Sequence, residues 1–151
     1  MSGKPRVLVS VGKVNFPEEV AATLGDVGDV AYVAGDYGRQ RGEASAVVVG
    51  GERVNAEYLA QAPRLKIVAR FGVGYDAVDV AACTARRIYV GHTPDILSAA
   101  VADLTWALIL AWMRRIPEGA RYSRTEWAAG QRAFPFGWDL AGKTLGLLGL
   151  G

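Results

Sequence analysis

Two glycine turns stand out as places where a ligand could meet the main chain. The first, FGVGYDAVD, sets Gly72-Val73-Gly74 after a β-like run and before a helical pattern, with Ala77 in the third-glycine place of a dinucleotide fingerprint. Asp95 follows at the spacing of a ribose-binding acid. Glycines let backbone N–H groups approach a bound group, and the start of a helix adds positive potential. That chemistry suits a carboxylate as well as a pyrophosphate. Three readings therefore stand: a dinucleotide turn, a cradle for a small anion, or a tight strand-to-helix turn with no ligand. The second turn, LLGLG, brings Gly149-Leu150-Gly151 after a stronger strand pattern, without a third glycine, a helix or an acid behind it.

Few side chains offer another chemistry. His92, in GHTP at the end of a β-like run, is the one histidine of the chain, and a lone strand-end histidine reads as structural before catalytic. Arg70 stands just before the first turn, either as positive charge toward an anion or as a solvated strand-end arginine. Cys83, the single cysteine, lies in the helical pattern VAACTARR and reads as a packed small hydrophobe. One cysteine excludes an internal disulfide and fits a reducing cytoplasm. No metal-ligand cluster, Ser-His-Asp set or P-loop spacing occurs, so neither a metal nor a catalytic residue is assigned. The 17 basic and 15 acidic residues are scattered and leave a net charge of +2, which argues against a nucleic-acid partner. The longest apolar run, LTWALILAWM, is too short to span a bilayer, and MSGKPRVLVSVGK carries no signal-peptide pattern.

The elements that would position these groups alternate. Short β-branched runs bounded by Gly, Pro or Asp predict strands at 6–11, 29–33, 46–49, 65–71 and 88–91. PEEVAATLG, with Pro17 in the first turn, two acids and Gly25 as a stop, predicts a helix. NAEYLAQAP predicts another, from an Asn55 N-cap to the residue before Pro63. DAVDVAACTARR predicts a third, with Val78, Ala81, Ala82 and Ala85 on one face. The connection AGDYGRQRGEAS is polar and glycine-bearing and reads as mostly loop. Such alternation is the pattern of an α/β, doubly wound parallel sheet of flavodoxin-like order, functional at the carboxyl ends of its strands, over residues 1–95.

From residue 96 the character changes. DILSAAVADLTWALILAWMRRIPEGARYSRTEW predicts a long helix broken near Pro117 and a second helical piece. Trp106, Leu108, Leu110 and Trp112 spread around the long helix, so it is apolar on most sides. AAGQRAFPFGWDLAG is an irregular aromatic stretch, long enough for a functional arm or linker. Residues 143–148 predict a sixth strand.

ARFGVGYDAVDVAACTARRIYVGHTPDILSAAVADLTWALILAWMRRIPEG, with the later GWDLAGKTLGLLGLG, resembles the D-isomer-specific 2-hydroxyacid dehydrogenases. The likeness is dense from about Leu65 onward and holds at the level of strand order before that. VGHTPDIL and VADLT are most similar to glyoxylate and hydroxypyruvate reductases; LSAA and the GKTLGLLGLG ending are shared with phosphoglycerate dehydrogenase, the nearest rival. The resemblance implies hydride transfer between NADH or NADPH and the C2 carbonyl of a small 2-keto acid. It further implies that the first turn holds the substrate carboxylate through the amides of Val73 and Gly74, with Arg70 as added positive charge. Gly149 and Gly151 would open the coenzyme domain, and Thr105 would face the cofactor cleft. The family's catalytic histidine, its carboxylate partner and the substrate-gripping arginine lie beyond the GLG turn, and His92 does not match that histidine.

The resemblance thus divides the chain into a substrate domain, 1–95, and a segment 96–151 holding the inter-domain helix, a dimer arm and the start of an incomplete Rossmann-type NAD(P) domain. The expectation is the front part of a cytoplasmic dehydrogenase, inactive alone and binding coenzyme weakly or not at all. The bare helix would drive a homodimer or higher self-association. Two other identities stay open: a phosphoglycerate dehydrogenase-like fragment, and a flavodoxin-like module for assembly or anion binding without turnover.

Overall fold

The computed structural model describes residues 3–12, 16–35 and 37–149. The chain divides into two compact units, Met1–Ile96 and Leu97–Gly151. In the first, five strands pair in parallel: β1 (Arg6–Val9), β2 (Asp29–Tyr32), β3 (Ala46–Val49), β4 (Ile67–Arg70) and β5 (Tyr89–Gly91). Their order is β2-β1-β3-β4-β5, the flavodoxin-like arrangement. Helices α1 (Glu18–Leu24), α2 (Gly38–Glu43), α3 (Ala56–Ala60) and α4 (Val80–Ala85) fill the four crossovers.

The central strands are runs of valine and leucine because both of their faces are covered. On one face Leu8, Val47, Val49 and Val68 pack with Tyr58, Leu59 and Cys83 in one core cluster. On the other, Val9 and Val48 pack with Ala21 and Phe16. Alternation along β4 and β5 sends Ile67 and Tyr89, which are register partners, to this second face, where Tyr89 is 77% exposed. Cys83 is fully buried, as a packed small side chain.

Local signals set the helix starts. Asn55 caps α3 by accepting from the amide of Tyr58 at 2.9 Å, and Asp79 caps α4 by accepting from Ala82 at 2.8 Å. Two expectations are corrected. The connection read as mostly loop holds α2, because buried Tyr37 anchors its start and Arg41 lies over the rings of Tyr37 and Tyr58 at 4.8 and 4.2 Å. Arg41 also donates to Gln61 Oε1 at 2.8 Å, so tertiary contacts overrule weak local propensity. The third predicted helix begins only at Val80. Residues before it are drawn into a bridge between Val54 and Val78, with Val54 N donating to Ala77 O and Asp79 N to Val54 O, each at 2.8 Å. Its buried face is accordingly Val78 and Cys83 with half-buried Ala82, while Ala81 and Ala85 are exposed.

In the second unit α5 (Ser98–Met113) and α6 (Ile116–Arg124) are separated by Arg114 and Arg115, the latter at φ +54°. The break precedes Pro117 because a proline ring inside a helix clashes with the carbonyl four residues earlier, which is that of Met113. Met113 O instead accepts from Trp138 N at 2.8 Å. Gly137 makes that approach possible, since a Cβ there would sit 2.4 Å from Met113 O. The aromatic stretch folds back on α6 through Tyr122, whose ring meets Trp127 and Phe134 and whose hydroxyl donates to Gln131 O at 2.9 Å. Residues 143–149 form no strand: no neighbouring strand among the described residues supplies a ladder, and an isolated extended run has nothing to bond. No helix among the described residues is long and apolar enough to cross a membrane.

The polar pin beneath α2 gives a pH signature. Tyr37 donates to Glu52 Oε1 at 2.7 Å and lies 3.2 Å from the Tyr58 hydroxyl, while Glu52 Oε2 accepts from Gly50 N. Burial, and then the bonds with Tyr58 and Glu52, raise the Tyr37 phenol far above its ordinary 10.0. A raised folded-state value means full stability below pH 10 and loss above it, because the unfolded phenol ionises first. Urea unfolding should therefore show stability falling as pH climbs from 9 to 11.5. Tyr37→Phe should cost about 1 kcal/mol at pH 8 and flatten that fall; an unchanged slope would refute the assignment.

Candidate functional site

The carboxyl ends of β3, β4 and β5 bring together the loops that follow them. β4 delivers Arg70 and then Gly72-Val73-Gly74; β5 delivers His92 and Thr93 beside them, because Ala69 is paired with Gly91. Phe71 N donates to Val49 O at 2.9 Å, holding the start of the loop to the end of β3, and the Phe71 ring meets buried Phe16 edge-on at 5.8 Å. Gly72 has φ +139°, a conformation that side chains other than glycine's rarely tolerate.

Two bonds tie this loop to the segment after β5. Thr93 N donates to Gly72 O at 3.1 Å, and the His92 ring, through Nδ1, donates to Val73 O at 2.9 Å. The His92 ring also meets Tyr75 edge-on, with centroids 5.1 Å apart. The amides of Val73 and Gly74 make no hydrogen bond among the described residues. Both residues are exposed. Arg70 folds back so that Nη1 donates to Phe71 O, and its guanidinium lies over Gly72. Asp76 lies by Gly74: a Cβ there would be 3.5 Å from its Oδ2. The loop thus offers two free N–H donors with one cationic and one anionic side chain nearby, which suits a small anion held mainly by main chain.

The dinucleotide reading of FGVGYDAVD is corrected by this geometry. A pyrophosphate needs the N-terminus of a helix directly behind the glycines. Here α4 starts at Val80, and its Ala82 amide is met by the Asp79 carboxylate. Ala77, in the third-glycine place, belongs to the bridge to Val54. Asp95, at φ +63°, sits in the turn before α5.

Arg70, Val73 and Gly74 are therefore brought together in the first unit. In the second, Thr105 is exposed on α5 with its hydroxyl donating to Val101 O at 2.7 Å. Gly149 has φ +78° and nothing within 4 Å of a notional Cβ, while Gly151 lies outside the described residues. Residues 143–149, which precede and include Gly149, form neither a strand nor a helix. Among the described residues, no cluster of His, Cys, Asp and Glu could hold a metal ion. Sequence reasoning missed the bonds from His92 and Thr93 to the loop. The signal was available in the strand order, since adjacent parallel strands set the residues after β5 beside those after β4.

Residues 16–137, which hold β2 to β5 and this loop, match the catalytic-domain model of the D-isomer specific 2-hydroxyacid dehydrogenases, and the chain belongs to that family. Among curated relatives, it is 44% identical to the glyoxylate reductase of Pyrococcus horikoshii over 110 residues, 70% of this chain and 33% of that protein. It is 45% identical to the glyoxylate reductase of Aeropyrum pernix over 105 residues, 66% of this chain and 31% of that protein. Among solved structures, the NADPH-dependent glyoxylate/hydroxypyruvate reductase of Sinorhizobium meliloti, in complex with NADP and malonate, superposes with a TM-score of 0.79 at 33% identity, over 99% of this chain and 47% of that one. The 3-phosphoglycerate dehydrogenase of Entamoeba histolytica, at 20% identity and a TM-score of 0.64, shares the fold. The chain thus spans about a third of the length of the curated relatives it matches.

Gly72→Ala should destabilise the first unit by about 1–3 kcal/mol, since alanine is strained at this φ. Its amide spectrum should change at residues 71–76 while the β1–β3 resonances stay in place. A variant as stable as the parent would refute the glycine requirement.

Proposed function

We propose that this chain supplies the acid-binding part of an NAD(P)-dependent 2-hydroxyacid dehydrogenase acting on a small 2-keto acid of the glyoxylate or hydroxypyruvate type. The observation that carries this reading is the pair of unpartnered amides at Val73 and Gly74, set at the carboxyl edge of a parallel sheet in a chain 44% identical to a glyoxylate reductase. The amides take the substrate carboxylate. Arg70 adds positive charge beside Gly72, and Asp76 beside Gly74 discourages a second anionic group. When bound, NADH or NADPH supplies the hydride for the C2 carbonyl. Of this chain's residues, Gly149, Gly151 and Thr105 are the ones assigned to the coenzyme side. The open main chain at Gly149 fits a close approach, and the Thr105 oxygen can still accept a bond. No side chain among the described residues is assigned as proton donor, because the His92 Nδ1 proton is committed to Val73 O.

Titrating the 151-residue polypeptide with glyoxylate should shift the amides of Val73 and Gly74 and leave those of α1 unmoved. NADH and NADPH should shift neither, and the polypeptide alone should not oxidise them in the presence of glyoxylate or hydroxypyruvate. Turnover by this polypeptide, or a dinucleotide bound beside Val73, would overturn the reading.

Assembly is proposed from the second unit. No residue of α5 is buried, and Trp112 is 70% exposed among exposed Trp106, Leu108 and Leu110. An apolar surface of this extent drives a homodimer or larger association. Light scattering after size exclusion should give at least twice the chain mass, and Leu108→Arg with Trp112→Arg should lower it; a monodisperse monomer at high concentration would count against the proposal.

A further inference from the structure

We infer that His92 is a positioning residue for carboxylate binding: its ring grips Val73 O and thereby turns the Gly74 N–H toward the substrate. This rests on the proposed role of the Val73 and Gly74 amides. A peptide unit is planar, and in the trans form its C=O and N–H point in opposite directions. No cis peptide bond occurs among the described residues. The carbonyl of Gly72 shares its unit with the Val73 N–H, and the carbonyl of Val73 shares its unit with the Gly74 N–H. The first carbonyl is held by Thr93 N at 3.1 Å and the second by His92 Nδ1 at 2.9 Å. Both carbonyls are therefore drawn to the segment after β5, and both amide protons are turned away from it, toward one side of the loop.

The two anchors differ in kind. Thr93 acts through its main chain, so any residue but proline could replace it. His92 acts through its side chain, so the Gly74 amide depends on which residue stands there. A carbonyl can only accept, which fixes the proton on Nδ1 and leaves Nε2 as the outward nitrogen. Edge contact with Tyr75 restricts the ring to that orientation. Without this grip the Val73–Gly74 peptide is free to rotate about a residue flanked by two glycines, and one of the two donors to the anion is lost part of the time.

An asparagine places its amide nitrogen where Nδ1 stands, whereas a glutamine places it near Nε2. In the 151-residue chain, long-range proton–nitrogen spectra should show His92 as the Nδ1–H tautomer. With malonate as an unreactive carboxylate probe, followed at the Val73 and Gly74 amides, His92→Ala and His92→Gln should each weaken binding about fivefold, the worth of one hydrogen bond. His92→Asn should bind within about twofold of the parent. Thermal midpoints of all four chains should agree, which separates orientation from folding. Parent-like affinity in His92→Ala, equal loss in His92→Asn and His92→Ala, or an unprotonated Nδ1 would overturn the inference. Malonate leaving both loop amides of the parent unmoved would remove the carboxylate reading itself. The tautomer, and a Gly74 amide shift seen in His92→Ala and absent from His92→Asn, would then still establish what orients the loop.

Discussion

The parallel pairing of β4 with β5 governs where chemistry can occur in this chain. Because Ala69 sits opposite Gly91, the residues leaving the two strands travel side by side, and the loop after one is within bonding reach of the loop after the other. β4 is held in turn by β3, from Ala46 opposite Ile67 to Val49 opposite Arg70, and the middle of that ladder, at Val47, Val48, Val49 and Val68, is buried. The stiffness of the loop is thus borrowed from the core, although most of its residues are exposed. A recognition site that uses main-chain donors needs such support, since a peptide unit has no side-chain rotamers by which to adapt.

Much of the first unit was legible in the residues themselves. β3 coincides with its predicted bounds, 46–49, because AVVV is both β-branched and bounded by Ser45 and Gly50. Asn55 declared the start of α3 through a cap that depends only on local chemistry. The sheet order followed from the alternation of strands and helices. Where prediction failed, long-range contacts decided. α2 exists because Arg41, already over the Tyr37 ring one turn back, also finds the Tyr58 ring and Gln61, both far from it in sequence. α4 starts late because Val54, more than twenty residues away, claims the main chain around Val78.

The candidate site was legible in a different proportion. Its glycines and its arginine were visible, and so was the choice between pyrophosphate and carboxylate. That choice could not be made from spacing, because the fingerprint counts residues and takes no account of where the helix begins. The late start of α4 removes the positive helix end from the loop and puts Asp79 in its place. In the second unit, α5 and α6 formed where the two helical stretches were expected, and Pro117 acted one turn upstream of itself, as the geometry of the ring requires. The strand expected over 143–148 had a sequence fit for a sheet; a ladder, however, belongs to two chains of residues, and one of them cannot be read from the other.

Under the proposed role, Val73 contributes only its peptide groups to the grip on an acid, and the residue is 42% exposed. On the proposed reading, the head of the substrate and its tail are consequently met by separable parts of one residue. Replacing valine by a bulkier or more polar neighbour alters the wall without altering the handle. On that reading, single substitutions at this place change which tail the site accepts and keep the hold on the acid group.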